Sequence, residues 1–274
     1  MIMITKQNAG LLIVSVLAAF VPSVARSHDT WLLPDRFHVE QLESATLNLT
    51  SSMAFPEFET GPKRERVESA TYRLAGQTFD VTDLSAREKS LVIKTTPAQA
   101  GVATYSIKLP AKAIELEAAL VEEYLDEVDA SSEIRKLWKE AKEPKRWREL
   151  YAKHMKTFVL VGEPPADPSW AEPIGTGLEI VPEKDPTALR EGDEFPVRVL
   201  KDGAPHADFS LNALAAGEKK GETRKTDAAG RVVFPVNKAG GWLLRGIDLR
   251  KSTRSEADWE SDFVTLTFEV KAKP

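Results

Sequence analysis

The sequence predicts a mainly β protein that carries a helical insertion in its middle. Two observations lead to this prediction. Short runs in which apolar and polar residues alternate recur in both halves of the chain, and Gly, Pro and Asp separate them, as in antiparallel sandwiches. Between these halves, residues 111–154 consist mostly of Ala, Glu, Lys, Leu and Arg, which favour helices. We therefore expect an N-terminal β-sandwich-like domain, central helices and a C-terminal β-sandwich.

The first 27 residues have the pattern of a secretory signal peptide. An apolar run over residues 9–21 follows Lys6, and it is shorter than the roughly 20 residues that a membrane-spanning helix needs. Small residues after Pro22 allow cleavage after Ala25 or after Ser27. The mature chain would then be periplasmic or secreted, and no further apolar run predicts insertion into a membrane after the signal is removed.

Residues 28–110 are predicted to form the first β domain. The clearest strand is 44–51, because apolar and polar side chains alternate in it, as a half-buried strand requires. A tight turn is expected at Ala75-Gly76. The other strands of this domain are expected at 30–33, 67–74, 77–81, 90–95 and 101–109.

Residues 111–162 are predicted to be a helical segment that returns to a strand at 157–161. A second helix should begin at Ser132, and a third near Pro144, because proline is tolerated in the first turn of a helix. The first helix is marked by an apolar stripe at helical spacing: Ile114, Ala118, Val121, Tyr124, Leu125 and Val128. The expected face of the third helix holds Trp147, Leu150, Tyr151 and His154.

A Pro-rich linker or surface arm, residues 163–176, should precede the C-terminal β-sandwich, residues 177–274. Turns at 201–203 and 227–230 contain the Asp and Gly residues that such turns favour. The strands of this domain are expected at 177–182, 193–200, 209–215, 231–236, 241–249 and 262–270.

The composition excludes several classes of site. The chain has no cysteine, so it cannot form disulfides, thiolate metal sites or a cysteine nucleophile. Loss of Lys6 and Arg26 with the signal leaves 35 basic and 42 acidic residues, a formal charge of −7. This balance argues against nucleic acid or an anionic membrane as partner and leaves cations as plausible ligands. No G-x-S-x-G, Walker or HExxH motif occurs, and we therefore expect that the protein is not an enzyme.

The start of the mature chain is the main candidate for metal binding. Cleavage after Ser27 would free the α-amine of His28, which can chelate an ion together with a ring nitrogen. Cleavage after Ala25 would make His28 the third residue, so that the amine, two deprotonated amides and the imidazole form a square-planar nitrogen set suited to Cu(II) or Ni(II). The alternative is a frayed terminus without a function.

Further ligands must come from few residues, since the other histidines are His38, His154 and His206. His154 is the best second ligand, although a hydrogen-bonded histidine at the edge of the core is the alternative. His206 follows a proline in a turn, and Asp29 is either a ligand or an acceptor for a ligand. We predict that a divalent transition metal (Ni, Co or Cu) binds at His28, Asp29, His154 and His206.

Several segments resemble a family of secreted bacterial proteins that contain a domain of unknown function. The opening His28-Asp-Thr-Trp-Leu-Leu-Pro34 matches the pattern H-D-x-W-L-x-P, and further matches follow in order at 151–162, 177–182, 202–205, 225–231 and 240–244. Members are described as periplasmic components of cobalt/nickel uptake systems, NikM-like. The resemblance therefore implies a periplasmic location, a bound transition metal and a membrane metal-transport component as partner. The last blocks are also similar to transthyretin-like and carboxypeptidase-regulatory-like sandwiches, which implies that fold for the C-terminal domain.

Three functions follow from these observations. The leading hypothesis is a periplasmic metal-binding or metal-uptake accessory protein that uses the mature N-terminal region. The alternative is a non-catalytic periplasmic binding module for protein or glycan. A third hypothesis, ranked last, is a copper oxidase with an N-terminal histidine brace, which would need His154 or His206 opposite His28.

Overall fold

The computed structural model describes residues 28–163 and 168–273. The expected signal peptide and both cleavage sites lie outside the described residues, as does the middle of the expected linker. No helix in the described part of the chain is long and apolar enough to cross a membrane.

The described residues form a mainly β structure with a short helical insertion, as predicted. The helices are α1 (Ala118–Glu127) and α2 (Ser132–Lys139), and short 3-10 turns occur at Arg64–Arg66 and Pro168–Ala171. The strands are β1 (Asp29–Pro34), β2 (His38–Val39), β3 (Ala45–Ser52), β4 (Ser69–Leu74), β5 (Gln77–Asp80), β6 (Asp83–Ala86), β7 (Leu91–Thr95), β8 (Gly101–Glu117), β9 (Arg146–Val161), β10 (Leu178–Pro182), β11 (Asp193–Lys201), β12 (Ala204–Pro205), β13 (Ser210–Ala215), β14 (Glu222–Lys225), β15 (Arg231–Val236), β16 (Gly240–Lys251) and β17 (Trp259–Val270).

One large sheet contains strands from both predicted β domains. In the described residues its order is β14-β13-β16-β17-β9-β8-β4-β5, and the short β2 lies beside β9. The β17–β9 and β2–β9 pairs are parallel, and the other neighbours are antiparallel. Two smaller sheets have the orders β1-β3-β7-β6 and β10-β11-β12, and β15 pairs with β11 along the same edge as β12. The two halves of the chain are therefore joined by backbone hydrogen bonds between β9 and β17.

Each small sheet packs on a different part of the large sheet, which gives two sandwich-like layers. The C-terminal layer buries Phe195 and Phe234 of the small sheet against Phe268 of β17. The N-terminal layer buries Leu47 of β3 against Tyr105 of β8. Burial of such apolar side chains contributes about 1.5–3 kcal/mol each, so these two cores hold the small sheets in place.

The third predicted helix is wrong, because its residues form the first half of β9. Side chains alternate there, with Arg146 and Arg148 exposed and Trp147 and Glu149 buried. β9 pairs with β8 on one side and with β17 on the other. These two ladders satisfy the backbone on both edges of the strand, and this tertiary pairing outweighs the helix propensity of the residues.

The first helix also begins later than predicted, at Ala118, because β8 continues to Glu117. Residues 114–117 alternate between apolar and charged side chains, which is a strand pattern within a segment of helix-forming composition. The remaining stripe is confirmed, since Val121, Tyr124 and Leu125 are buried beside Trp147 of β9. The helices thus close an aromatic cluster at one end of the β8–β9 hairpin.

The predicted turns at Ala75-Gly76 and Asp202-Gly203 are confirmed, with positive φ at all four residues and strand pairing on either side. The described part of the linker region packs as a surface arm, because Arg73 of β4 donates a hydrogen bond of 2.8 Å to the carbonyl of Pro173. The strands that the sequence did not predict, β6, β12 and β14, have two to four residues and are mostly exposed. Such strands bury too few apolar residues to show an alternating pattern.

Candidate functional site

The segment that follows the expected signal peptide is built into the fold by β1. Each residue of β1 pairs with β3, from Asp29 opposite Ser52 to Pro34 opposite Leu47. Trp31 is buried and contacts Phe55 edge-on at 5.3 Å between ring centroids. The segment is therefore anchored, and the frayed-terminus alternative does not apply from residue 29 onward.

His28 lies at the edge of this sheet and remains accessible. Its Nε2 is 3.4 Å from Oε2 of Glu59, and about half of each side chain is exposed. The carbonyl of His28 accepts a hydrogen bond of 2.9 Å from Nζ of Lys153, which also donates to Oγ1 of Thr30 at 2.8 Å. Burial lowers the pKa of Lys153 to about 8, against the opposing effect of Asp29. The backbone of His28 is thus fixed while its ring faces solvent and a carboxylate.

Asp29 is committed to a partner in the C-terminal half of the chain. Its Oδ2 accepts a hydrogen bond from Nη1 of Arg245 on β16. The same guanidinium donates from Nε to Oδ1 of Asn212 on β13, at 3.1 Å. Asp29 therefore connects the N-terminal strand to the large sheet, and its carboxylate is neutralised by Arg245.

His154 is buried inside β9 and not at the surface. Its Nε2 is 2.8 Å from Oδ1 of Asp262 on β17, and Gly177 packs on its ring, so that a Cβ at this glycine would lie 3.2 Å from Cε1. Burial alone would raise the pKa of Asp262, but hydrogen bonds from His154 and Lys201 outweigh it and hold that pKa well below its usual range. This is the hydrogen-bonded alternative that the sequence left open for His154.

His206 belongs to the same charged network from the other side. Its Nε2 is 3.4 Å from Oδ1 of Asp248, whose Oδ2 lies 3.5 Å from Nζ of Lys201 and 3.0 Å from Nη1 of Arg250. Asp248 stands directly opposite Asp262 in the β16–β17 pair, an arrangement that is unfavourable for two like charges. Lys201 and Arg250 each contact both carboxylates and compensate this repulsion.

Sequence reasoning missed the members of this network other than the two histidines. The signal that could have found them is the alternation of charged residues in β16 and β17, where Asp248 and Arg250 stand opposite Asp262 and Glu260. Arg250 also contacts Glu260 at 3.1 Å. Such a row of charges on long paired strands indicates partly buried ion pairs, because burying a charge without a partner of opposite sign is costly.

The predicted metal ligands do not converge on one point. Among residues 28–163 and 168–273, no group of three or more His, Cys, Asp or Glu side chains is placed to hold a metal ion. Asp29, His154 and His206 each face a different partner, Arg245, Asp262 and Asp248. A metal site that uses His28, Asp29, His154 and His206 together stays a prediction, and in the described structure three of these residues contact other partners. Of the three histidines in this set, His28 has the most exposed side chain, and Glu59 lies beside its ring.

A cavity of about 600 Å³ lies next to this region and contains two of the predicted residues, Asp29 and His206, in its wall. Its other walls come from β13, β14, β16 and the connection between α1 and α2, as shown by Asn212, Thr223 and Ser131. The described structure therefore offers two neighbouring places for a ligand, the accessible His28 edge and this cavity.

Comparisons with known proteins give a family match and loose structural similarities. The model of a domain of unknown function, DUF4198, matches residues 25–247. No curated protein matches the chain. The D0-D1 domain of intimin aligns with 12% identity over 87% of this chain and 97% of that one, at a TM-score of 0.21. The adhesin InvE of Yersinia pseudotuberculosis aligns with 12% identity over 87% of this chain and 58% of that one, at a TM-score of 0.22. A DUF4785 family protein of Legionella pneumophila aligns with 10% identity over 78% of this chain and 50% of that one, at a TM-score of 0.23.

Proposed function

The chain belongs to the family of the domain of unknown function DUF4198, and we propose that it is a periplasmic metal-binding accessory protein with His28 as the central ligand. The ion would be Ni(II), Co(II) or Cu(II), and a membrane metal-transport component would receive it. The observation that carries this proposal is the pairing of an accessible His28 ring with Glu59 at 3.4 Å on a firmly anchored strand end.

The pairing supports a specific mode of chelation. A freed backbone nitrogen of His28 and ring atom Nδ1 can close a small chelate ring around a metal, whereas Nε2 is too far along the ring to do so. Glu59 contacts Nε2, so it would hold a proton on that nitrogen and leave the lone pair of Nδ1 for the metal. Both cleavage products need Nδ1 for this chelate, and Glu59 would orient the ring in either case.

Anchoring of the backbone supports the same proposal. Lys153 fixes the carbonyl of His28, and Asp29 is held by Arg245, so the ligand residue is not free to move with a flexible terminus. A site that is held before the metal arrives loses less conformational entropy on binding. Because His154 and His206 are bound to Asp262 and Asp248, we favour a binding role over a copper oxidase with a second brace histidine.

Calorimetric titration with Ni(II), Co(II) and Cu(II) tests the proposal. The protein is purified after export, and its N-terminus is determined by mass spectrometry. We expect tight binding of one ion per chain, loss of that binding in His28→Ala, and weakening by about 10- to 100-fold in Glu59→Gln, the range typical for residues that orient a ligand. One extra N-terminal residue should also abolish the site, because it displaces the amine.

His38→Ala is the matched control. His38 is also a half-exposed histidine near a glutamate, with 4.0 Å between its Nε2 and Oε1 of Glu40, but it lies on β2. Its loss should leave metal binding unchanged. Equal binding by wild type and His28→Ala, or no binding by the wild type, would show that the proposed site is wrong.

A further inference from the structure

Met53 lies at the same end of the β1–β3 pair as His28. In this antiparallel pair, Asp29 of β1 stands directly opposite Ser52, the last residue of β3. The next position along each chain holds His28 and Met53. Residues directly opposite each other in such a pair have Cβ atoms about 4.5–5.5 Å apart, so continuing the pair by one residue brings a thioether close to the His28 ring.

Glu59 connects the two residues. Its Oε2 lies 3.4 Å from Nε2 of His28 and accepts a hydrogen bond of 3.2 Å from the backbone nitrogen of Met53. Two residues further along, Phe55 is buried and packs edge-on against Trp31 of β1. The backbone at Met53 is therefore held beside His28, while 47% of the residue remains exposed and accessible to a ligand.

Any sulfur ligand of the mature chain would have to come from Met53. The chain has no cysteine and four methionines. Met1 and Met3 precede both expected cleavage sites. Met155 is buried in the core of the N-terminal layer, with 2% of its surface exposed. A thioether thus lies at the surface next to the residue that we propose as the central metal ligand.

A thioether changes which ion this place prefers. Thioether sulfur is a soft ligand that selects Cu(I), whereas imidazole binds copper, nickel and zinc alike. Met53 also borders the cavity next to β1, so its side chain has open space around it. Its unbranched side chain has three rotatable bonds, which let the sulfur turn toward an ion held by His28.

We propose that Met53 supplies a thioether ligand to the ion held by His28, and that this ion is copper, bound as Cu(I). The inference rests on the proposed function, because it adds a ligand to the same site. Nδ1 of His28 and the sulfur of Met53 bind the ion together, and Glu59 holds the ring through Nε2. Both cleavage products contain these groups, so the assignment does not depend on which one forms.

Met53→Leu is the variant that tests the assignment. It removes the sulfur and nearly conserves the volume of the side chain. Met155→Leu is the matched control, because it makes the same change at the buried methionine. Thermal unfolding of the metal-free proteins establishes that each variant is folded.

The affinity for Cu(I) is measured without oxygen by competition with bicinchoninate, and the affinity for Ni(II) by calorimetry, on exported protein with a known N-terminus. Loss of a residue that only orients a ligand typically costs about 10- to 100-fold, so Met53→Leu should weaken Cu(I) binding by at least about 10-fold. Ni(II) binding should stay unchanged, because the thioether favours the softer ion. Met155→Leu should equal the wild type for both ions.

X-ray absorption at the copper edge supplies a second readout. The Cu(I) protein should show a sulfur neighbour of copper, and Met53→Leu should lack it while Met155→Leu retains it. Because cysteine is absent, no thiolate can contribute this signal.

The assignment of Met53 is overturned if copper has no sulfur neighbour, if Met53→Leu binds Cu(I) as tightly as the wild type, or if the variant loses Ni(II) affinity to the same extent. Each of these results leaves the proposed function standing, because His28 is unchanged and the wild type still binds metal. Absence of metal binding by the wild type would overturn both proposals.

Discussion

The buried ion pair between Lys156 and Glu179 should be a major determinant of stability. Both side chains are almost fully enclosed, with 5% and 2% exposed, and Nζ of Lys156 donates to Oε1 of Glu179 and to the carbonyl of Ile180, the latter at 3.1 Å. Glu179 also accepts backbone hydrogen bonds from Ile174 at 2.7 Å and from Gly175 at 2.9 Å. The pair therefore connects β9 of the large sheet to β10 of the C-terminal layer.

Removal of one partner leaves the other charge buried without compensation. We expect Glu179→Gln and Lys156→Met each to lower the free energy of unfolding by about 3–5 kcal/mol, whereas the double variant Lys156→Met/Glu179→Leu should cost much less than the sum. For a protein of this size, each single change corresponds to a fall in Tm of about 6–20 °C.

The assay is urea unfolding followed by tryptophan fluorescence and by far-UV circular dichroism. The two probes should give coincident transitions, because β9 and β17 join both halves of the chain in one sheet. The reasoning is refuted if each single variant costs less than about 1 kcal/mol, or if the double variant is as unstable as the sum of both. Two separate transitions would instead show that the halves unfold independently.

Three further predictions concern the surroundings of the site. Asp262→Asn should lower the free energy of unfolding by about 1.5–3 kcal/mol at pH 7, because His154 and Lys201 lose a charged acceptor. The native pKa of Asp262 is lowered, so the stability that its charge contributes is present above the unfolded pKa of about 3.9 and disappears as the pH falls. In an acid titration of stability, the variant should therefore lose less stability below pH 4 than the wild type. Gly177→Ala should cost about 1–2 kcal/mol in thermal unfolding, since φ is +87° and the new methyl group would press on the ring of His154, whereas a neutral result would contradict this packing. Folding lowers the pKa of Lys153 to about 8, so between pH 8 and 10.5 this lysine binds more protons in the unfolded protein than in the folded one. The free energy of unfolding should therefore rise with pH in that window. Urea unfolding at pH 8 and at pH 10.5 should show that Lys153→Met lacks this rise.

The fold was predicted from the sequence wherever a local pattern decides the structure. The alternation in 45–50 predicts β3, and the turn at Ala75-Gly76 follows from Gly76, which adopts positive φ without a steric cost. The stripe of Val121, Tyr124 and Leu125 predicts α1 because one face of the helix must be apolar to be buried. These signals are contained within short segments, so no knowledge of distant contacts is required.

The prediction failed for residues 146–154, where local and long-range preferences disagree. Their composition favours a helix, and Trp147, Leu150 and Tyr151 have helical spacing, but β8 and β17 offer pairing on both edges. The sequence of residues 146–154 alone does not indicate that β8 and β17 pair with it. The long β8–β9 hairpin is therefore a property of the whole sheet.

By itself, the sequence determined that the chain is mainly β, that it lacks thiol chemistry and that His28 follows a segment with the pattern of a signal peptide, because composition and local periodicity carry this information. Only the tertiary structure decided which partner each candidate ligand has. It placed Glu59 beside His28, Arg245 beside Asp29 and Asp262 beside His154, and it assembled the cavity from elements far apart in the chain. The physical reason is that the charge and access of a side chain depend on neighbours that folding brings together, and these neighbours leave no mark in the local sequence.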